Sequence, residues 1–186
     1  MSFYSKLESF IKRIIRVETA SIRTNTVCQV VSYDGATNLA ALQPCIMGIR
    51  LDDTDSPNKQ LPQVADIPVY QFGSGDVMVT QGPAVGSYGL YVVSDRNVKN
   101  WILRGGVVPP AGVGRFDLSN GFFLSGLFPT IADGSNGLIS PAIDTDRLSI
   151  RTRDGLTKID VIPATGDVTI TTVGQFSVNG NFTVDP

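Results

Sequence analysis

At 186 residues the chain has room for one ordinary domain and an appendage, and its 42% hydrophobic content is enough for a packed core. The formal net charge of −2 argues against nonspecific nucleic-acid binding, which runs on phosphate neutralisation by Lys and Arg. Histidine is absent, which removes the commonest general base and the commonest metal ligand together. Charge is also uneven. Residues 1–23 carry five Lys/Arg against two acids, whereas residues 131–186 carry four against seven. The basic and acidic ends are therefore expected to face different surroundings. No secretory signal is expected, because Lys12, Arg13 and Arg16 interrupt the apolar runs near the N-terminus. No stretch approaches the roughly 20 apolar residues that span a bilayer.

Residues 1–23 read as an amphipathic helix. Phe3, Leu7, Phe10, Ile14 and Val17 recur at 4-3-4-3 spacing, Ile11 and Ile15 widen the seam, and Ser2 suits an N-cap. This face is expected to turn onto its own domain or onto a partner; a basic amphipathic helix can also lie on a membrane, which its modest positive balance disfavours. Two and a half heptads are too few to establish a coiled coil.

Residues 24–108 read as one domain, all β from about Thr24 to Val93. Thr26–Tyr33 and Leu39–Ile49 flank the turn Asp34-Gly35-Ala36-Thr37, and a polar loop follows with Asp52, Asp53, Asp55 and Pro57. Ile67–Phe72, Asp76–Thr80 and Tyr88–Val93 are further strands, punctuated by Gly73-Ser74-Gly75, Gly82-Pro83 and Gly86. Five short strands at this spacing predict a small barrel, for which the OB-fold is the commonest candidate. Cys28 and Cys45 fall in neighbouring predicted strands. A disulfide is open to them, but free thiols are expected in a protein made in the cytosol. Ser94 or Asp95 caps a short helix through Val98, Trp101 and Ile102, ended by Gly105-Gly106. Trp101 could stack a base or a sugar; beside Val98 and Ile102 it is expected instead to close the end of the barrel. Residues 109–143 form a connector, including the Gly-broken apolar passage Phe116–Phe128.

Residues 144–186 alternate apolar and polar positions: Leu148 and Ile150, Ile159 and Val161, Val168 and Ile170, Phe176 and Val178, Phe182 and Val184. Period-two alternation puts these on one face of successive strands. Turn signals lie between them at Asp154-Gly155, Ala164-Thr165-Gly166-Asp167 and Asn179-Gly180-Asn181. No helix is available to cover that face, and a lone hairpin stack is marginal at best. The missing half of the core is expected from another copy or another protein.

Little points to chemistry. Asp52-Asp53-Thr54-Asp55 and Asp144-Thr145-Asp146 lack the glycine and distal glutamate of a calcium loop and read as solvated acids. Gly73-Ser74-Gly75 leads into a strand rather than a helix and lacks a phosphate-loop lysine. The only glutamates, Glu8 and Glu18, sit in the N-terminal helix, and Ser125 has no histidine to activate it. No catalytic residue, metal ligand or cofactor is expected.

The run Val85-Gly86-Ser87-Tyr88-Gly89-Leu90-Tyr91-Val92-Val93-Ser94-Asp95-Arg96, followed by Trp101 and Gly105, resembles the central spike proteins of contractile phage tails. Within them it is similar to membrane-puncturing spikes with an N-terminal OB-fold. Tyr33-Asp34, Gln43-Pro44, Asp66-Ile67-Pro68-Val69, Arg115-Phe116-Asp117-Leu118-Ser119 and Ser125-Gly126-Leu127 match in the same order. The resemblance implies a mainly β homotrimer: three OB-folds about a threefold axis, leading into an intertwined β-helix shaft whose core is the apolar set of residues 148–184. It also implies a virion protein that docks on a baseplate hub, assembles in the host cytoplasm and contacts the host envelope. Spikes of this kind often end in a histidine-bound iron; with no histidine here, the shaft is either short and blunt or, as expected from its otherwise open strand end, closed by a separate tip-capping protein. The rival reading is an OB-fold module for nucleic acid or oligosaccharide. It would need a basic or aromatic barrel face, yet residues 24–130 carry six Lys/Arg against eight Asp.

Overall fold

The computed structural model describes residues 3–49, 58–74, 76–129, 145–152 and 155–177. It divides into two compact units, Met1–Leu127 and Phe128–Pro186. The first opens with helix α1 (Phe3–Ser21), followed by strands β1 (Asn25–Asp34), β2 (Leu39–Pro44), β3 (Gly48–Ile49), β4 (Asn58–Lys59), β5 (Val64–Pro68), β6 (Phe72–Ser74), β7 (Val77–Val79) and β8 (Tyr88–Val93). Helix α2 (Lys99–Arg104) and strand β9 (Gly121–Leu127) complete it.

Five of these strands form one antiparallel sheet in the order β5-β2-β1-β8-β9. The sheet curls into a half-barrel, and its two edges meet where Val69 bridges Phe123 and the Tyr70 amide donates to the Phe123 carbonyl at 2.8 Å. Alternation, broken in β5 by an irregularity with Asp66 at positive φ, explains which side chains enter the concave face. Cys28 and Val30 of β1, Ala40 and Leu42 of β2, Val64 and Ile67 of β5, Tyr91 and Val93 of β8 and Phe123 of β9 make one buried cluster, joined by Val69. A bulge between Val30 and Ser32 shifts the register of β1, after which Tyr33 packs against the core. The β1–β2 turn lies where the sequence predicts it. Asp34 accepts from the Ala36 amide at 2.9 Å and the Thr37 hydroxyl at 2.8 Å, and Asn38 takes the left-handed conformation that closes the turn.

Tyr91 and Phe123 stand directly opposite each other on β8 and β9, both fully buried. Each ring covers a glycine two residues along the neighbouring strand. A Cβ at Gly89 would strike the Phe123 ring and the Leu124 carbonyl; one at Gly121 would strike the Tyr91 ring and the Val92 carbonyl. The Tyr91 hydroxyl donates to the Leu118 carbonyl at 2.8 Å, tying the ring to the loop before β9.

Two sequence expectations are corrected here. The fifth strand of the sheet is Gly121–Leu127, inside the passage read as connector, so the folded sheet runs well past residue 108. Asp76–Thr80 is not a barrel strand: its Val77–Val79 pairs only with Phe72–Ser74 in a side hairpin. The reason is pairing length. Glycines at 121 and 126 disguise β9 as a loop, yet Gly121 is required under Tyr91.

The second unit contains β10 (Leu148–Arg151), β11 (Lys158–Ile162) and β12 (Asp167–Thr171), an antiparallel meander in that order. Its turns use Gly155 and Gly166 at positive φ, and the Gly166 amide donates to the Ile162 carbonyl at 2.9 Å. One face carries Ser149 and Asp160. The Asp160 carboxylate is almost completely enclosed: Lys158 donates to it at 2.7 Å, the Ser149 hydroxyl donates to its other oxygen, and Arg147 lies at 3.5 Å. These partners, Lys158 first and Ser149 next, hold its pKa below the ordinary carboxylate value.

Two predictions follow from this packing. Gly89→Ala should destabilise the first unit by about 1–3 kcal/mol, because backbone and a buried ring block the new methyl group. Gly114→Ala, which opens onto free space, should change the melting temperature little. For Asp160, a lowered carboxyl pKa means stabilisation that is present above the unfolded value near 4 and lost as pH falls through the folded value. Thermal melts from pH 7 down to pH 3 should show this loss, and Asp160→Asn should shrink it. Asp34 and Asp117, also lowered, by the Ala36 amide and the Ser119 amide respectively, should supply the remainder.

Candidate interaction surfaces

The side chains that stand out in this protein are apolar and uncovered. Leu7, Phe10, Ile11, Ile14 and Ile15 of α1 are all exposed, Phe10 by 59%. Among the described residues no strand packs along this helix. The opposite side of α1 is polar and internally bonded, with Lys12 donating to Glu8 at 2.6 Å and the Ser9 hydroxyl to the Lys6 carbonyl at 2.8 Å. Phe3 and Val17 belong to the helix backbone, but their side chains lie outside what the structure describes.

The second unit repeats the theme. Leu148 pairs with Val161 and Val161 with Val168; Ile150 pairs with Ile159 and Ile159 with Ile170. Six predicted residues thus form a grid, two across and three deep, on the face opposite Asp160. All six are exposed. Phe176 is exposed as well, whereas Val178, Phe182 and Val184 lie outside the described residues.

A third apolar surface is the β6–β7 hairpin, which the sequence reading placed in the barrel. Phe72, Val77, Met78 and Val79 are all exposed, Phe72 by 72%. Its base is clamped by Gln71, whose amide donates to the Asn38 side-chain oxygen at 3.0 Å and to the Gln81 carbonyl at 3.3 Å, and accepts from the Gln81 amide at 2.8 Å. Asn38 in turn donates to the Val69 carbonyl at 2.7 Å and accepts from the Tyr33 hydroxyl at 3.1 Å. The hairpin therefore springs from an ordered base while its apolar side chains meet water.

Trp101 is half exposed and meets Phe122 edge-on, with ring centroids 5.7 Å apart. Phe122 alternates with the buried Phe123, so Trp101 packs on the convex side of β9 rather than into the barrel mouth. The mouth is flanked instead by Val98, just before α2, and by Ile102 and Leu103 within it, which line a cavity of about 260 Å³ with Leu39, Ile67 and Asn120. Cys28 and Cys45 are free thiols, the first buried and the second exposed. Burial pushes the Cys28 pKa up to about 12 and raises that of Cys45 as well. Asp52, Asp53, Asp55 and Asp144 lie outside the described residues. Among the described residues no three Cys, Asp or Glu side chains gather as a metal site.

The convex and concave faces of β8 and β9 are both apolar, with Leu90, Val92, Phe122 and Leu124 alternating against Gly89, Tyr91, Val93, Gly121 and Phe123. Such two-sided strands are characteristic of sheets that are covered on both faces. Comparison with known proteins bears on this region. No curated protein matches the chain. The sequence model of the phage protein Gp138 N-terminal domain matches residues 27–126, more than half of the chain and the span from β1 through most of β9. This chain therefore belongs to the phage protein Gp138 N-terminal domain family.

Proposed function

We propose that this phage structural protein is the central spike of a contractile-tail baseplate, a homotrimer that docks on the baseplate hub and pierces the host envelope when the sheath contracts. The observation that carries this reading is the register-matched apolar grid of β10, β11 and β12, which no described element covers. A small three-stranded sheet with one bare apolar face is marginal in water. Three copies winding those faces together about an axis remove the grid from solvent, leaving the Asp160, Lys158 and Arg147 face outside. The result is a β-helical shaft, narrow and stiff because backbone and side chains are both satisfied along its length.

In this reading the curled sheet is an OB-fold barrel at the wide end. Its convex apolar strands and the β6–β7 hairpin supply contacts between copies and to the hub. A separate protein caps the tip, and no step of the function is catalytic. The spike transmits force supplied by the sheath, so resistance to unfolding matters more than any affinity.

The test is the mass and detergent resistance of the purified chain, together with its place on the particle. Light scattering should give three times 19.9 kDa, and the unboiled protein should migrate as a trimer in SDS. Ile159→Asp, in the middle of the grid, should abolish that band, because three buried carboxylates would face each other. Immunogold labelling should fall at the distal end of the tail. A monomer in solution, or label along the tail tube, would overturn the proposal.

A further inference from the structure

We propose that α1 joins the α1 helices of two further copies in a parallel three-helix bundle; the inference rests on the trimer proposed above. The helix has 19 residues and an apolar stripe that nothing described on its own chain covers. An isolated helix of this length is marginal in water, and most helical stability comes from packing of the apolar face. Leu7 and Ile14 occupy one core position of a heptad, and Phe3, Phe10 and Val17 the other. The positions farthest from that seam are Ser5, Lys12 and Thr19, all polar.

Flanking charges select the partner and its direction. Lys6 and Arg13 fall on one flank of the seam; Ile11 and Glu18 fall on the other. In a parallel bundle, a residue on the first flank meets the residue five positions later on the neighbouring helix. Arg13 then faces Glu18 of the next copy, and the Lys6 stem lies along Ile11. An antiparallel pairing would instead place Lys6 and Arg13 beside the same cations of the other helix. The chain's own charges thus fit a second copy running the same way. The breadth of the stripe, with Ile11 and Ile15 added to the seam, suits a bundle in which each helix touches two others. The connection to β1 is only Ile22–Thr24, so a trimeric body holds the three helices at high effective concentration. That tether compensates for the short heptad run.

Single nitroxide labels at Ser5→Cys, Lys12→Cys and Thr19→Cys, in full-length protein carrying Cys45→Ser, test the geometry directly. Buried Cys28, with its pKa pushed up to about 12, should stay unlabelled. Pulsed dipolar spectroscopy should give the same short spin separation at all three sites, equal within the width of the distributions. Arg13→Glu should broaden the separations, and Arg13→Glu with Glu18→Arg should restore them. A trimeric mass with separations that grow from residue 19 to residue 5 would overturn the bundle and leave the spike standing. A monomeric mass with no dipolar coupling would overturn both.

Discussion

Two aromatic rings and two glycines set the shape of the first unit. Tyr91 and Phe123 sit opposite each other across β8 and β9, and each leans over the glycine of its neighbour's strand. A side chain at either glycine would hold the rings apart. Without one, the strands bend around the rings and the sheet curls far enough for Val69 to reach Phe123. The remaining core residues fill the concavity that this arrangement creates.

Curling solves only the inner face. On the outside of β8 and β9, Leu90, Val92, Phe122 and Leu124 remain, with α2 contributing one tryptophan as partial cover. The bare stripe of α1, the β6–β7 hairpin and the grid of the second unit add to it. Polar bonding is concentrated elsewhere: at the Asp34 turn, in the Asn38–Gln71 clamp and around Asp160. The chain thus separates the polar groups that fix its own strands from its exposed apolar surfaces.

How legible this was in the sequence depended on periodicity. The second-unit strands alternate cleanly between glycine turns, so all six paired residues could be named, and the register then brought them together. The same holds for β1, β2 and β8, and for the seam of α1. The edge of the half-barrel was harder. In β9 the pattern is interrupted by glycines, and a single strand cannot show that Gly121 accommodates Tyr91. Conversely, Val77–Val79 has strand chemistry but pairs only with Phe72–Ser74, since β-propensity reports fit to a pleated surface and not which sheet supplies it. Trp101 was misplaced for a related reason: helical spacing gave its neighbours on α2 but not which side of β9 the helix would lie against.

Trp101 also has an optical consequence. It is the only tryptophan in the chain, so all indole emission arises from one half-wet position against Phe122. The colour of that emission depends on how much water reaches the ring. Whatever covers the convex side of β9 will shift the light to the blue, and whatever leaves it bare will not. The protein thus carries its own unlabelled gauge of contact on the side of the sheet that its fold leaves open.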